Sequence, residues 1–353
     1  MIKVNIIGKV PPPIGGVTIH TLRLYKWLEK EKYIDIKISS LNKTDIENTN
    51  IKYIGNYLIW ILNKIIFGFK EDIVHYQGAN YFGLIMLYIA NVLHPNFKLI
   101  LSVHGEGYVG RLEKRQYLKK IIYFILNRLE LIITSGKHLK QQLLSVNITS
   151  SIVVIDPFLM PLEGDKKEYP QYVKDIINTD KFLICANAFN VDKIDEESDL
   201  YGLHLLSKVA IKLNDENIEY KMIIFIAIIN DREYVDELFL ELKNVHIVSD
   251  NNVNGWQVIA DSDLMIRPTS TDGDALSIKE ALSFGVDVIA SDVTPRNENV
   301  ILFNYHDVDD LYEKVFKNIK DDTNNLLGKN CIENNIMYYI KNYKELVRSV
   351  SDN

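Results

Sequence analysis

Residues 264–292 read LMIRPTSTDGDALSIKEALSFGVDVIASD. Residues 264–267 have the short apolar pattern of a buried strand, and a polar loop containing Gly273 follows. A helix begins near Ser277 and Gly285 ends it, before a second apolar strand over 287–290. A strand, loop, helix and strand with both strands nearly all apolar form a parallel unit buried on both faces. The same alternation continues outward, with strands over 182–186, 222–228 and 246–248 and helices over 203–213, 277–283 and 308–319. Pro157, Pro161, Gly164 and Pro170 punctuate the chain before that series. N-terminal to them lie strands over 4–7, 34–39, 73–76, 98–103, 131–134 and 152–155, with helices over 18–29, 81–93 and 112–129. The sequence predicts an α/β fold of two Rossmann-like, doubly wound domains facing across a cleft. The N-terminal domain covers 1–160, a linker 161–180 and the C-terminal domain 181–330. A last helix over 331–353 is expected to return toward the N-terminal domain.

The chain has 353 residues, 47% hydrophobic and 25% charged, which fits about two domains and excludes a disordered or collagen-like chain. The longest apolar stretches, 57–69 and 81–93, are interrupted by Asn63, Lys64 and Asn91, so no transmembrane helix is predicted. The chain opens on a strand pattern with no secretory signal pattern. Its two cysteines, Cys185 and Cys331, make neither a disulfide framework nor a zinc site. A cytoplasmic protein is expected. The net charge of -7 divides into about +9 over residues 1–160 and about -16 over the rest. Such asymmetry suggests two surfaces with different partners, the basic one facing phosphates or an anionic membrane; ordinary solvated surface is the alternative. Nucleic acid is disfavoured, because the whole chain is acidic and carries no recognition motif.

Three loops at strand ends carry candidate chemistry. Val10-Pro-Pro-Pro-Ile-Gly15-Gly16-Val17-Thr18 joins the first strand to the first helix. Its glycines permit positive φ and close backbone approach, and the helix start offers free N–H groups to an anion. Gly105, Gly107 and Gly110 form a literal G-x-G-x-x-G. They follow the strand over 98–103 rather than the first strand, and no acid ends a strand about 20 residues on, so a dinucleotide site is disfavoured. His104 stands just before them at a strand end. In the opening segment, Asp272 and Glu280 are separated by seven residues. Loop carboxylates suit hydroxyl recognition, and a helix N-terminus suits phosphate; together they describe a nucleotide sugar.

This last segment resembles the acidic-x7-acidic motif of family 4 glycosyltransferases, retaining enzymes of GT-B fold. Asp272 stands where the family most often has Glu, and Glu280 matches the second acid. Gly15-Gly16, His104, the run Thr134-Ser135-Gly136-Lys137 and the run Ala260-Asp261-Ser262-Asp263 occur in the order the family shows. The resemblance implies His104 and Asp272 as catalytic residues approaching the transferred sugar from the two domains. It implies a donor site of Gly15, Gly16, Gly273, Asp274, Ala275, Leu276, Ser277 and Glu280, with Glu280 on the ribose hydroxyls; this sequence adds Lys193 and Arg267 as donor-binding candidates. The implied donor is a UDP- or GDP-linked sugar, and no further cofactor or catalytic metal is expected. Asp261-Ser262-Asp263 precedes its strand and so points to the wrong end of the sheet for a metal site. The family also has an Arg and a Lys-Gly pair clasping the diphosphate; here Asn190 and Tyr201-Gly202 occupy those positions. Lys193, Arg267 and Arg296 are the candidate replacements.

The stretch from Arg111 to Arg128 sets six basic residues against one acid, Glu113, and interleaves them with Leu118, Ile121, Ile122, Phe124 and Ile125. This suits docking on an anionic membrane, or a sheet-packed helix with a solvated basic face. The expected function is transfer of a sugar to a glycan, lipid-linked, in bacterial surface polysaccharide synthesis (lipopolysaccharide or capsule) at the inner face of the plasma membrane. A non-catalytic GT-B scaffold and a nucleotide-sugar epimerase of the same fold are the alternatives.

Overall fold

The computed structural model describes residues 1–351 apart from 14, 79, 106, 192–194, 196–197, 251–252, 273–274 and 321–333. The chain forms two compact units, residues 1–159 with 334 onward, and residues 160–333.

In the first unit, β1 (Ile2–Gly8), α1 (Gly16–Glu29), β2 (Ile34–Ser40), β3 (Ile51–Tyr53) and α2 (Tyr57–Phe67) are followed by β4 (Ile73–Tyr76) and α3 (Tyr81–Leu93). Then come β5 (Lys98–Val103), α4 (Gly107–Glu113), α5 (Gln116–Leu126), β6 (Leu131–Thr134), α6 (Lys137–Ser145) and β7 (Ile152–Val154). The strands form one sheet in the order β3-β2-β1-β4-β5-β6-β7, and every pairing is parallel. β4 and β6 are buried along their whole length, as strands covered by helices on both faces must be. One face packs Leu84, Leu87, Leu99 and Leu101 with their neighbours, and the other packs Val4, Ile6, Leu24 and Leu28.

The second unit runs α7 (Gln171–Ile177), β8 (Phe182–Val191), α8 (Leu203–Asp215), β9 (Tyr220–Ile229), α9 (Arg232–Phe239), β10 (Val245–Val248) and α10 (Gly255–Ala260). It continues through β11 (Leu264–Arg267), α11 (Leu276–Phe284), β12 (Asp287–Ser291), β13 (Ile301–Phe303) and α12 (Val308–Lys320). Its sheet order is β10-β9-β8-β11-β12-β13, again all parallel. The last helix, α13 (Ile336–Ser351), belongs to the first unit. Ile336, Tyr339, Ile340 and Tyr343 follow one another at helical spacing, and all four are buried in that unit's core.

Three local expectations are corrected. The helix expected over 112–129 is two helices, α4 and α5, broken at Lys114-Arg115; the backbone of Arg115 leaves the helical region at φ −120 and ψ 78. The strand expected over 182–186 extends to Val191, because β9 pairs with it along the whole length. Gly15 does not use positive φ: it is extended at φ −158 and its position leaves room for a Cβ.

Candidate functional site

In the second unit the strand order reverses between β8 and β11. The loops after these two strands leave in opposite directions, and the crevice between them is where open α/β sheets take ligands. Arg267 ends β11 and reaches over this point. Its Nε donates to Asp272 Oδ2 at 3.1 Å and its Nη2 to Oδ1 at 3.3 Å, while its Nη1 donates to the carbonyl and side-chain oxygens of Asn187 at 3.0 and 3.1 Å. All three guanidinium nitrogens are thereby engaged. The Tyr201 ring lies 5.3 Å from the same guanidinium. Arg296, from the loop after β12, donates through Nη1 to Asp272 Oδ2 at 3.0 Å. Its side chain is only 4% exposed, and its Nε and Nη2 are buried without a hydrogen-bond partner. A buried cationic donor left unpaired is costly, so these two nitrogens mark a place where an acceptor belongs.

The loop entering α8 is locked onto the same point. Asp199 is fully buried and accepts from Tyr201 N at 2.8 Å, Tyr234 Oη at 2.9 Å and His204 N at 3.2 Å. Desolvation alone would raise the Asp199 carboxyl, but its hydrogen bonds from His204, the α8 backbone and Tyr234 hold it below the usual carboxylate range. The turn brings Gly202 against Pro268 at φ +72; a Cβ there would stand 2.0 Å from the Pro268 carbonyl oxygen. Ser270 N completes the join by donating to Leu200 O at 3.0 Å.

α11 starts at the end of this loop. Its N-cap, Ala275, offers no side-chain hydrogen bond, so the first-turn N–H groups at Leu276, Ser277 and Ile278 are not capped from that residue. Glu280 follows one turn on and is buried with Ser277. The structure thus brings Arg267, Asp272, Ala275, Leu276, Ser277 and Glu280 to one end of one sheet. Lys193, Gly273 and Asp274 lie outside the described residues, as does Cys331. Cys185 sits inside β8, where burial pushes its thiol up to about 12.

The first unit has its own reversal between β1 and β4. Gln77 directly follows β4, and His104 directly follows β5. His104 is partly exposed; its Nε2 donates to Gln77 Oε1 at 2.5 Å. The Gln77 amide nitrogen donates to His75 Nε2 at 3.2 Å, and His75 Nδ1 meets the Tyr343 hydroxyl at 2.5 Å. Ser102 Oγ lies 2.7 Å from His75 Nε2. His20, on α1, lies 4.9 Å from the His104 ring, tilted 59° to it, and bonds the Pro157 carbonyl through Nδ1 at 2.7 Å. Burial, then the neighbouring His20 and His75, holds His104 well below the ordinary histidine range. Burial likewise lowers His20 to about 4, against the opposing Pro157 carbonyl, and His75 to about 3. All three rings are neutral at neutral pH. With Nε2 donating, His104 presents Nδ1 as an acceptor.

Gly15 and Gly16 open α1; Thr18 Oγ1 accepts from Gly15 N at 3.0 Å. Ser135 Oγ donates to His104 O at 3.3 Å, tying the 134–137 run to the His104 loop. Asp261 and Asp263 are structural: Asp261 accepts from Tyr169 Oη at 2.7 Å and Asp263 from Leu183 N at 2.7 Å. Among the described residues no group of three or more His, Cys, Asp or Glu is arranged to hold a metal ion. Gln77, His75, His20 and the Tyr201–Arg267 contact carried no sequence signal. Each pairs residues on different elements, and only the strand order brings them together.

Residues 14–159 match the family model described as Glycosyltransferase Family 4. No curated protein matches the chain. Solved structures share the fold. Sucrose-phosphate synthase from Thermosynechococcus elongatus is 13% identical over 99% of this chain and 100% of that one, with TM-score 0.58. A UDP-forming alpha,alpha-trehalose-phosphate synthase from Burkholderia xenovorans, in complex with glucose-6-phosphate, is 10% identical over 98% and 100%, with TM-score 0.61. UDP-GlcNAc 2-epimerase from Neisseria meningitidis, bound to UDP-GlcNAc, is 15% identical over 100% of both chains, with TM-score 0.56. Transferases and an epimerase thus share one architecture, and the likeness establishes the fold alone.

Proposed function

We propose that this chain, whose residues 14–159 match the family 4 glycosyltransferase model and whose two sheets share the GT-B fold, is a glycosyltransferase carrying out a retaining transfer of sugar from a UDP- or GDP-linked donor to a lipid-linked glycan. The observation that carries this reading is the Asp272 cluster at the reversal of the second sheet. Arg267 and Arg296 fix the carboxylate, and Arg296 keeps two buried nitrogens, Nε and Nη2, unpaired beside it. A diphosphate would satisfy them and would also meet the α11 N-terminus. Arg296 then supplies the charge missing at Asn190 and Tyr201, while Arg267 holds Asp272 in place. Glu280 receives the ribose hydroxyls, and the acceptor Nδ1 of His104 takes a hydroxyl of the transferred sugar. Lys193, Gly273 and Asp274 complete the donor site, and Gly15 and Gly16 let the donor approach the first unit's backbone. Departure of the diphosphate is assisted by protein cations and helix N–H groups, without a metal. The acceptor's role places the enzyme at the inner face of a bacterial plasma membrane in surface polysaccharide synthesis, with the basic stretch from Arg111 to Arg128 toward anionic lipid.

Calorimetry with UDP and GDP tests the donor site directly. One of the two should bind, and Arg296→Met should weaken it roughly tenfold to a hundredfold, the loss expected when a charged hydrogen bond is removed. Glu280→Gln should raise the donor KM. Asp272→Asn is the informative change at the third position, because Asp272→Ala would strand two buried guanidiniums and cost about 3–5 kcal/mol of stability. Unchanged nucleotide affinity in Arg296→Met would remove Arg296 from the site. Formation of a C2 epimer of the donor sugar, with no transfer, would replace the transferase reading with the epimerase one.

A further inference from the structure

Helix α2 has the sequence YLIWILNKIIF, with one charge, Lys64, yet it buries a single residue, Ile61. A helix this apolar ordinarily lies in a core. Here Ile59, Ile66 and Phe67 are 70%, 63% and 74% exposed, and Leu58 and Leu62 are about half exposed. The helix is nonetheless firmly seated. Asn56 caps it by accepting from Leu58 N at 3.0 Å and Ile59 N at 3.3 Å. Its inner flank is pinned by Tyr57 Oη donating to Gly83 O at 3.3 Å and by Trp60 edge-on to Phe69 at 5.9 Å. The outward apolar stripe is therefore a built feature of the fold.

The neighbouring helices extend the stripe. α3 adds Val92 and Leu93, both exposed, and α5 adds exposed Ile121 and Phe124. Tyr88 of α3 meets Phe124 of α5 at 6.3 Å, and α2 packs beside α3, so the three helices are neighbours that each expose apolar side chains. So many exposed large apolar side chains on neighbouring helices mark an interaction site. None of α2, α3 and α5 contains an Asp or Glu. Lys64, Lys119 and Lys120 are their charges, Lys119 being paired with Glu113 at 2.9 Å, and exposed Lys70, Arg115 and Arg128 lie close in sequence to their ends. A second copy of the same face would set these cations against one another. An anionic bilayer accepts both the apolar stripe and the basic rim. No described helix is long and apolar enough to cross a membrane; α2, about 16 Å long, suits lying flat at the boundary.

We infer that α2, with the exposed ends of α3 and α5, inserts into the interface of an anionic lipid bilayer. The inference rests on the lipid-linked acceptor proposed above and deepens it: apolar insertion by α2 carries the contact, and the basic residues of α5 steer it.

Flotation with equimolar phosphatidylglycerol and phosphatidylcholine vesicles, against pure phosphatidylcholine, tests this. The wild type should float with the anionic vesicles and keep part of its binding at high salt, since salt screens only the charge contribution. The triple variant Ile59→Gln, Ile66→Gln, Phe67→Gln changes exposed side chains only, and circular dichroism should show the fold unchanged. It should lose on the order of a hundredfold in partitioning. The variant Lys114→Gln, Arg115→Gln, Lys120→Gln should lose only the part that salt also removes. If the triple variant floats like the wild type while the basic variant does not, α2 is not the inserted element and the inference falls, while the acceptor reading stands. If the wild type does not float at all, both fail. A wild-type dimer that the triple variant dissociates, without lipid binding, would make the face a self-interface and overturn the inference. Nucleotide affinity should be equal in all three proteins, so loss of the donor reading is scored separately.

Discussion

Gln77 belongs to no sequence motif, yet its amide fixes the ring of His104. Its oxygen takes the Nε2 proton of His104 and its nitrogen bonds His75, so amide orientation and imidazole tautomer are set together. Gly8 permits this placement: a Cβ there would stand 2.9 Å from Gln77 Cβ. If neutral His104 is the working form, Gln77→Leu should lower kcat roughly tenfold or more, with nucleotide affinity unchanged. Gln77→Glu gives the discriminating result. A carboxylate beside Nε2 favours the imidazolium, so the folded pKa of His104 rises and activity declines at a higher pH than in the wild type as the solution is acidified. Identical pH–rate profiles for Gln77→Glu and the wild type would show that Gln77 does not position the ring. His104 itself was legible in the sequence because it ends a clear apolar strand. Its partner was not, because the two are 27 residues apart and meet only through the pairing of β4 with β5.

At the scale of elements, parallel order was readable because buried strands such as those over 131–133 and 264–266 are continuous apolar runs bounded by polar residues. One of the two longest apolar stretches was harder to read, although the other, 81–93, is the helix its pattern predicts. Residues 57–67 form a helix whose apolarity faces outward, and hydrophobic periodicity carries no record of which face is covered. The α4–α5 break was hidden because Lys114 and Arg115 are both good helix formers and the interruption is one of backbone geometry. Gly202 is the element-level hinge of the candidate site, since it starts α8 while touching the end of β11. Gly202→Ala would combine left-handed strain with a clash against backbone that cannot turn aside, for a loss of about 2–4 kcal/mol. Urea unfolding should show that loss, and UDP or GDP affinity should fall with it, because the α8 loop must shift off Pro268. A variant as stable as the wild type would mean the turn relaxes, and the join between the two loops would not be a constraint on the site.

Across the whole molecule, the two units differ in what acid does to them. The first buries His20 and His75 as neutral rings under α13, where Tyr343 meets His75 Nδ1 and Tyr339 lies 3.3 Å from His20 Nε2. In the unfolded chain these histidines titrate near their ordinary value of 6.5, while in the folded chain they do so at about 4 and about 3. Below pH 6.5 the unfolded chain therefore binds protons that the folded chain refuses, and stability falls with falling pH. The contribution is fully present above pH 6.5. It declines by up to about 1.4 kcal/mol per pH unit for each ring, and levels off near pH 4 for His20 and near pH 3 for His75. The second unit holds His204 against Asp199 and His246 on β10, and its clearest acid-sensitive group is the depressed Asp199 carboxyl, which loses its contribution only below the carboxylate range. His246 is lowered by burial and then by Lys221, so it adds a smaller loss in the same direction as His20 and His75. Moving from pH 7 to pH 5 should thus weaken the first unit by on the order of 3 kcal/mol and the second by less. Hydrogen exchange read on peptides from β1 and β4 against peptides from β8 and β9 separates the two. Faster exchange at pH 5, after correction for the intrinsic rate, should appear first in β1, β4 and α13. Equal acceleration in both sheets, or none in the first, would mean that the buried histidines accept protons without unfolding, and that α13 does not hold them neutral.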